Sequence, residues 1–443
     1  MERFTFTHAM DLDDGWDVIV AGGGPAGCTA AIAAAREGAK TLLIESTGCL
    51  GGMGTAGLVP AWCPFSDQEK IIYRGLAERV FTLSKAGQPH VAARSLDWVP
   101  IDPEGLKRIY DDLVSEAGVA VRFFTTLTAV RTDSRGGVDV ILTASKAGLT
   151  ALRARVFVDA TGDGDLAAWA GAEFEMGGED GKLQPATHCF DLSGVNDYHY
   201  RHGPLLHPMN PDSPAYRIAA DPAFPDILDV HVCNNTLGPG TVGFNSGHLY
   251  DVDATDPASL TRAMMLGRRI ARQFRDALAQ YHPAAFAGSM LINTGSLMGV
   301  RESRRIVGDY RLTLEDYLAR RSFPDEICRN SYYVDVHGSR KTANANMDAI
   351  EKGTHRYGRG ESHGIPYRCL TPRSLRNVLT AGRDVSSDRA VHGSIRVMPP
   401  CLAMGEAAGL AAAMAAAAPD GNVHEVNTDD LRQRLRGYGA WLP

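Results

Sequence analysis

The sequence predicts an α/β protein: a parallel sheet covered by helices, with a second α+β domain inserted into it. Three observations lead there. Asp17 to Glu45 reads DVIVAGGGPAGCTAAIAAAREGAKTLLIE, which is an apolar strand at Val18 to Val20, a glycine turn, a small-residue helix over Ala26 to Ala35, and a second strand at Thr41 to Ile44. Strands of the same character return far downstream, as VFVDATG at Val156 to Gly162 and LRNVLTAG at Leu375 to Gly382. Between Glu173 and His363 the texture changes to one richer in His, Asn, Tyr and Pro. The expected division is 16–172 with 365–418 as one discontinuous domain, 173–364 as the insert, and 419–443 as a tail with one short closing helix. At 443 residues the chain exceeds what one ordinary core serves, which agrees with two packed domains.

The glycine turn sets the chemistry of the first domain. Gly22, Gly24 and Gly27 have GxGxxG spacing between a strand and a helix that opens at Pro25 and Ala26. In a Rossmann-like unit these glycines serve the tight turn, the close approach of backbone to a pyrophosphate, and helix-to-strand contact. The helix N-terminus then offers unpaired N–H groups to the phosphates. Glu45, followed by Ser46, ends the second strand, where a carboxylate accepts from ribose hydroxyls and repels a 2′-phosphate. Gly48, Gly51, Gly52, Gly54 and Gly57 follow, with Thr55 among them, so backbone here approaches something closely and a second part of the cofactor is the candidate. Cys49 has no second cysteine a few residues away and reads as a structural thiol.

Helical spacing covers Leu76 to Ser84 and Pro103 to Ala117, the latter with Asp102 as N-cap and proline at the first helical position. From Val119 the pattern alternates as strands do, and the last of these runs into Ala160, Thr161 and Gly162, with Asp163 and Asp165 expected to cap the next helix. In the insert, Asp256 and Pro257 open a long helix with an apolar stripe of Leu260, Met264, Leu266, Ile270, Phe274 and Leu278.

Composition narrows the function classes. Lys and Arg number 45 against 52 Asp and Glu, a net charge of -7, which gives no reason to expect nucleic acid or an anionic membrane. The N-terminal stretch has neither a basic nor an apolar region of a leader, and the apolar run at Leu410 to Ala418 is too short to span a bilayer, so a cytoplasmic location is expected. Eight cysteines lie scattered without a CxxC pair, and His, Glu and Asp pairs at metal spacing are absent, so no metal is expected.

With the glycine turn, Glu45, GGMGT, ATGDGD, AGRD and AMGEAAG in this order, the chain resembles the FAD-dependent oxidoreductase family of glutathione-reductase-type flavoproteins. The resemblance runs from Asp17 to about Ala416 and implies FAD. It puts Gly22, Gly24, Pro25, Ala26 and Gly27 on the pyrophosphate, Glu45 and Ser46 on the adenosine ribose, and Gly51, Gly52 and Thr55 beside the flavin arm. Ala160, Thr161, Gly162 and Asp165 lie close to the nucleotide, and Gly382, Arg383 and Asp384 meet the ribityl or pyrophosphate part. Gly405, Ala407 and Ala408, taken as the start of the last long helix, aim N–H groups at the flavin N1/C2 carbonyl region.

His392 to Arg396 reads HGSIR, which is similar to a segment of the succinate dehydrogenase, fumarate reductase and aspartate oxidase group. Val397 to Pro400 departs from that group, so a dicarboxylate substrate does not follow. The expected activity is a dehydrogenase or oxidase taking a hydride from a small polar substrate onto flavin N5, with His392 as base and Arg396, Arg301, His337 and His248 as further candidates. Arg304 and Arg305 are expected in surface ion pairs with Glu302 or Asp309. The alternatives are a flavin monooxygenase or halogenase, for which ATGDGD is a faint sign, and a flavoprotein subunit that relays electrons. The expected partners are a small-molecule substrate and an unnamed electron acceptor, and a homo-oligomer stays open.

Overall fold

The computed structural model describes residues 5, 7–178, 181–338 and 356–443. Residues 1–4 and 6 of the N-terminal stretch, and 179–180 and 339–355 of the expected insert, lie outside the described residues.

The main sheet has seven strands in the order Ala120–Arg122, Thr41–Ile44, Asp11–Ala21, Gly148–Asp159, Val138–Ser145 and Thr126–Thr132, with Val378–Thr380 beside Gly148–Asp159. Gly148–Asp159 is the shared strand. Its first half pairs antiparallel with Val138–Ser145 (Ile141 opposite Leu152), and its last residues lie parallel to both the opening strand and Val378–Thr380. Val18 and Val20 face one buried layer while Ile19 and Ala21 face the other, the two-sided burial that parallel strands require. The stretch read as one strand from Val119 is two, because Phe124 takes a positive φ of 50° and breaks it.

The first helix, Pro25–Arg36, crosses the last long helix, Met398–Ala417, at backbone distance. A Cβ on Gly405 would stand 2.2 Å from the Ala26 carbonyl oxygen, and one on Gly409 1.9 Å from that of Ala30. Thr29 Oγ1 donates to Leu402 O at 2.8 Å across the crossing, and Arg36 pairs with the buried Glu406 at 2.9 Å. The apolar run expected at Leu410 to Ala418 is thus only the end of a 20-residue helix, long and apolar enough to cross a membrane by length and composition, of which 89% is buried inside the protein.

A second sheet of four antiparallel strands, in the order Met290–Thr294, Phe190–Ser193, Thr241–Ser246 and Val232–Gly238, packs under the helix Pro257–Tyr281. Asp256 caps that helix as expected, accepting from Ala258 and Ser259 N–H. The apolar stripe is fully buried in its second half, at Ile270, Phe274 and Leu278, while Leu260, Met264 and Leu266 of the first half pack against the same core partly buried. In the first half Ala263 and Gly267 face inward, since His188 fills the space a side chain at Gly267 would need. This second core draws on Ala186 to Met298. Leu312, Tyr317, Phe323, Ile327 and Val334, all within the expected insert, pack instead in the core around the first helix.

Two outcomes follow from this packing. Gly409→Val is expected to lower stability by about 2–3 kcal/mol, read as a fall in melting temperature, because backbone has to yield at the crossing. Asp191 lies buried in the second sheet with Oδ1 unpaired, and burial pushes its pKa up to about 7. The folded state therefore holds a proton that the unfolded chain releases near pH 4, and stability declines from there to about pH 7 by up to roughly 1.4 kcal/mol per pH unit. Asp191→Asn should flatten that decline in denaturant titrations at several pH values and leave the variant more stable than wild type above pH 7.

Candidate active site

The dinucleotide cradle assembles where three strand ends meet the first helix. Gly22, at φ +99°, lies so close to Ala160 that a Cβ would stand 2.4 Å from its carbonyl oxygen. A Cβ on Gly52 would lie 3.1 Å from Gly24 Cα, and one on Gly382 3.4 Å from Ala26 Cβ. A Cβ on Gly24 would meet nothing within 4 Å, and Gly24 caps the helix without a side-chain hydrogen bond, which leaves room at the first turn for a pyrophosphate. Glu45 holds the turn: its carboxylate accepts from Gly23 N–H and Thr47 N–H, each at 2.7 Å, and Ser46 Oγ lies 3.3 Å from it. Thr55 is committed elsewhere, its hydroxyl donating to Leu50 O at 2.6 Å.

Asp384 carries the strongest sign of a missing partner. It is fully buried, both carboxylate oxygens lack a hydrogen bond, and burial together with Asp159 pushes its pKa well up. A ribityl or ribose hydroxyl would satisfy it. The residues present therefore fit FAD. Asp163 and Asp165, expected to cap the helix after ATG, do not. Asp159 accepts from Ala167 N–H and Thr161 Oγ1 accepts from Asp165 N–H. Asp163 pairs instead with Arg383 at 2.8 Å and Asp165 with Arg304 at 2.7 Å, and Gly162 lies against the Arg383 guanidinium.

The last helix corrects a second expectation. It begins at Met398, so Gly405, Ala407 and Ala408 lie inside it with their N–H groups committed to carbonyls one turn earlier. At its true N-terminus Pro399 and Pro400 have no N–H, and Cys401 N–H is bonded to Val397 O. Only Met398 N–H is left for a flavin oxygen. His392 lies inside a short helix, Arg389–Ile395, not in a loop. Its Nε2 donates to Arg383 O at 2.8 Å, and burial with Arg305 and Arg396 nearby holds its pKa well below the usual range, which makes it a poor base. Arg305 and Arg304 are buried or nearly so, the first bound to Glu302 and the second to Asp165, so neither forms the surface pair expected of it.

The other four candidates, Arg396, Arg301, His337 and His248, come together in one buried cluster. Arg396 donates to both the backbone and the carboxylate of Asp335, at 3.0 and 3.2 Å. His337 Nε2 lies 3.3 Å from Asp335 Oδ1, and its Nδ1 is 2.9 Å from His248 Nε2. His248 Nδ1 meets Asp229 Oδ2 at 2.8 Å, which also accepts from Tyr250. His231 stacks on His248 with ring centres 4.1 Å apart and leaves its Nδ1 unpartnered.

Burial works against charge on Asp335 and Asp229, yet the surrounding donors prevail. His337, Arg396 and Arg301 hold Asp335 well below the usual carboxylate range, and His248 with Tyr250 brings Asp229 to about 2. Burial drives the three histidines the other way, His337 to about 3, so all are neutral near pH 7.

Arg301 projects into this group from the second sheet's side. Nη1 donates to Pro185 O and Thr187 Oγ1 at 2.8 and 2.7 Å, and Nη2 reaches Asn245 Oδ1 at 3.4 Å. Among the described residues no carboxylate forms an ion pair with it, and burial with Arg396 nearby draws its pKa down to about 10.

Sequence reasoning missed His231, Asp229 and Asp335. A signal was there: DVH occurs twice, at Asp229 to His231 and Asp335 to His337.

Asp384→Asn is expected to weaken FAD binding about ten- to a hundredfold by fluorescence titration, while the FAD-free protein melts no lower than wild type, because an unpaired buried carboxylate has been removed. A lower melting point without a change in FAD affinity would make Asp384 structural.

The profile described as FAD dependent oxidoreductase matches residues 17–435. No curated protein matches by sequence. Among solved structures, the chain is similar to a geranylgeranyl bacteriochlorophyll reductase-like protein from Thermoplasma acidophilum, at 14% identity over 97% of this chain and 83% of that one, TM-score 0.47. It is similar also to CabE, an aromatic hydroxylase from angucycline biosynthesis (14% identity, 96% and 69%, TM-score 0.47), and to the flavin-dependent brominase Bmp2 (13%, 95% and 83%, TM-score 0.44). The family match spans nearly the whole chain and agrees with a dinucleotide cradle that includes an unsatisfied carboxylate: the protein belongs to the FAD-dependent oxidoreductases.

Proposed function

We propose that this FAD-dependent oxidoreductase is a dehydrogenase or oxidase acting on a small organic substrate that carries an anionic group, and that Arg301 binds that group. The observation that carries this reading is the buried guanidinium of Arg301, held by neutral oxygens and lacking an ion pair among the described residues. Asp335 is near enough to act on Arg301 but is not in contact with it, and a buried cation without a contacting carboxylate is costly, so a carboxylate supplied by substrate lowers that cost on binding. The planar fork accepts a carboxylate through two parallel bonds, which fixes orientation as well as position.

Bound FAD supplies the two-electron acceptor. The chain supplies position. Arg396 is locked to Asp335 on the segment leading into the N-terminus of the last helix, so the wall around Arg301 is tied to the helix that reaches the flavin end of the cradle. Pro60 lies against Gly243, and Ser296 N–H donates to Ala56 O, so the second sheet closes directly over the glycine run. A substrate held at Arg301 is thereby shielded from water by two elements of different cores.

The test uses Arg301→Met with acetate, glycolate, malonate and succinate as probes, each against its neutral amide, read by flavin absorbance changes and by melting temperature. Wild type should bind at least one carboxylate more than tenfold tighter than its amide, and Arg301→Met should lose that preference. Its melting temperature should match or exceed that of wild type, since an unpaired buried charge has gone. Equal binding of acids and amides by wild type sinks the reading, as does a variant that loses stability without losing carboxylate preference.

A further inference from the structure

Between Asp229 and Asp335 two carboxylates and two imidazoles stand in a row. Three contacts run in series: Asp229 to His248 at 2.8 Å, His248 Nε2 to His337 Nδ1 at 2.9 Å, and His337 to Asp335 at 3.3 Å. Each ring sets its outer nitrogen against a carboxylate oxygen and turns the other toward its neighbour. His248 Nε2 and His337 Nδ1 thus face each other at short range with a carboxylate behind each ring, an arrangement suited to holding a cation between them.

His231 decides which cation. A single shared proton would satisfy His248 and His337 and leave the third ring without a role. Yet one nitrogen from each of His231, His248 and His337 lies within 4.8 Å of the others, all three rings are buried, and His231 Nδ1 has no partner. We propose that His231, His248 and His337 bind a divalent transition metal ion, with Asp229 and Asp335 as the outer carboxylates that fix the tautomers of His248 and His337.

The geometry is close to what such an ion needs. Nitrogens bound at 2.0–2.1 Å around a tetrahedral centre stand about 3.3 Å apart, so the His248 to His337 gap opens by a few tenths of an ångström and His231 turns inward from its stacked position. A carboxylate behind each of two ligating rings is the outer arrangement that raises ligand basicity and sets ring orientation. Imidazole donors suit zinc, iron, cobalt, nickel or copper. Three protein ligands leave a fourth position open to water or a substrate oxygen, as in catalytic rather than structural sites. Arg301 nearby opposes a second cation, and its field draws an anion to that fourth position, which compensates the charge. The site does not rest on the carboxylate-substrate reading, because water or chloride can fill the same position.

The experiment uses the FAD-loaded protein, prepared without a histidine tag or chelator. Elemental analysis should give about one equivalent of a first-row metal per chain. After stripping with a chelator, Co2+ should produce visible absorption bands that saturate at about one equivalent, together with a rise in melting temperature. His231→Ala and His248→Ala should keep the flavin spectrum and lose the cobalt bands. Wild type that carries under about a tenth of an equivalent and shows neither bands nor a melting shift at millimolar Co2+ overturns the proposal. So does full metal retention by both variants. A strongly downfield imidazolium proton in wild-type NMR, unaffected by Co2+, would assign the gap to a shared proton and also overturn it. If the alanine variants fail to retain FAD, the wild-type cobalt titration decides alone.

Discussion

The crossing of the first helix on the last sets the terms for everything else in this molecule. Gly405 and Gly409 let the last helix rest on the carbonyls of Ala26 and Ala30, and Thr29 donates across the same contact. Side chains there would push the helices apart by the width of at least a methyl group, and the interior has no slack for that. Because the contact is backbone to backbone, it also fixes the distance between the cradle at Gly22 to Gly27 and the N-terminus of the last helix at Met398. Those are the two ends of the space a long dinucleotide must fill. The two parts of the chain expected to hold such a cofactor are nearly four hundred residues apart, and their relative position is set at this crossing.

The same helix explains why the second half of the site lies where it does. Arg396 stands just ahead of Met398 and reaches Asp335, whose backbone in turn lies against Gly393. Asp335 holds His337, His337 meets His248, and His248 sits at the end of a strand in the second sheet. A short chain of polar contacts thus links the two cores through a shared buried charged cluster. Such a network is costly when half satisfied; Arg396 Nε and His231 Nδ1 are without a hydrogen bond here, and Arg301 is hydrogen-bonded to neutral oxygens but has no ion pair among the described residues.

The fold was legible because its signals are local. The strand, glycine turn, helix and second strand between Asp17 and Ile44 stand where the pattern puts them, and so do the caps at Asp102 and Asp256. Local pattern also marked Asp384, since AGRD ends a strand, but nothing local could reveal that its carboxylate is unpaired. The failures share a cause. Gly405 and Gly409 looked like the start of a helix because small residues suit a cofactor contact and a helix crossing equally well, and only the position of Met398 distinguishes them. His392 reads as the base from its HGSIR segment, and the helix around it turns its ring toward Arg383 O. The cluster of three histidines was invisible to a search for close spacing, since its members come from 231, 248 and 337 and meet only when the second sheet folds against the chain after Asn330.

Charge balance carries the argument about this cluster one step further. Two carboxylates, Asp229 and Asp335, stand among two guanidinium groups, Arg301 and Arg396, and the charges of the buried group sum to zero. The sum conceals an uneven layout. Asp335 is shared by Arg396 and His337, Asp229 by His248 and Tyr250, and no carboxylate is left for Arg301. A neutral substrate would leave Arg301 as it is and gain nothing from its desolvated charge. An anion would meet a guanidinium already stripped of water and held by Pro185, Thr187 and Asn245, so little reorganisation is needed at the moment of binding.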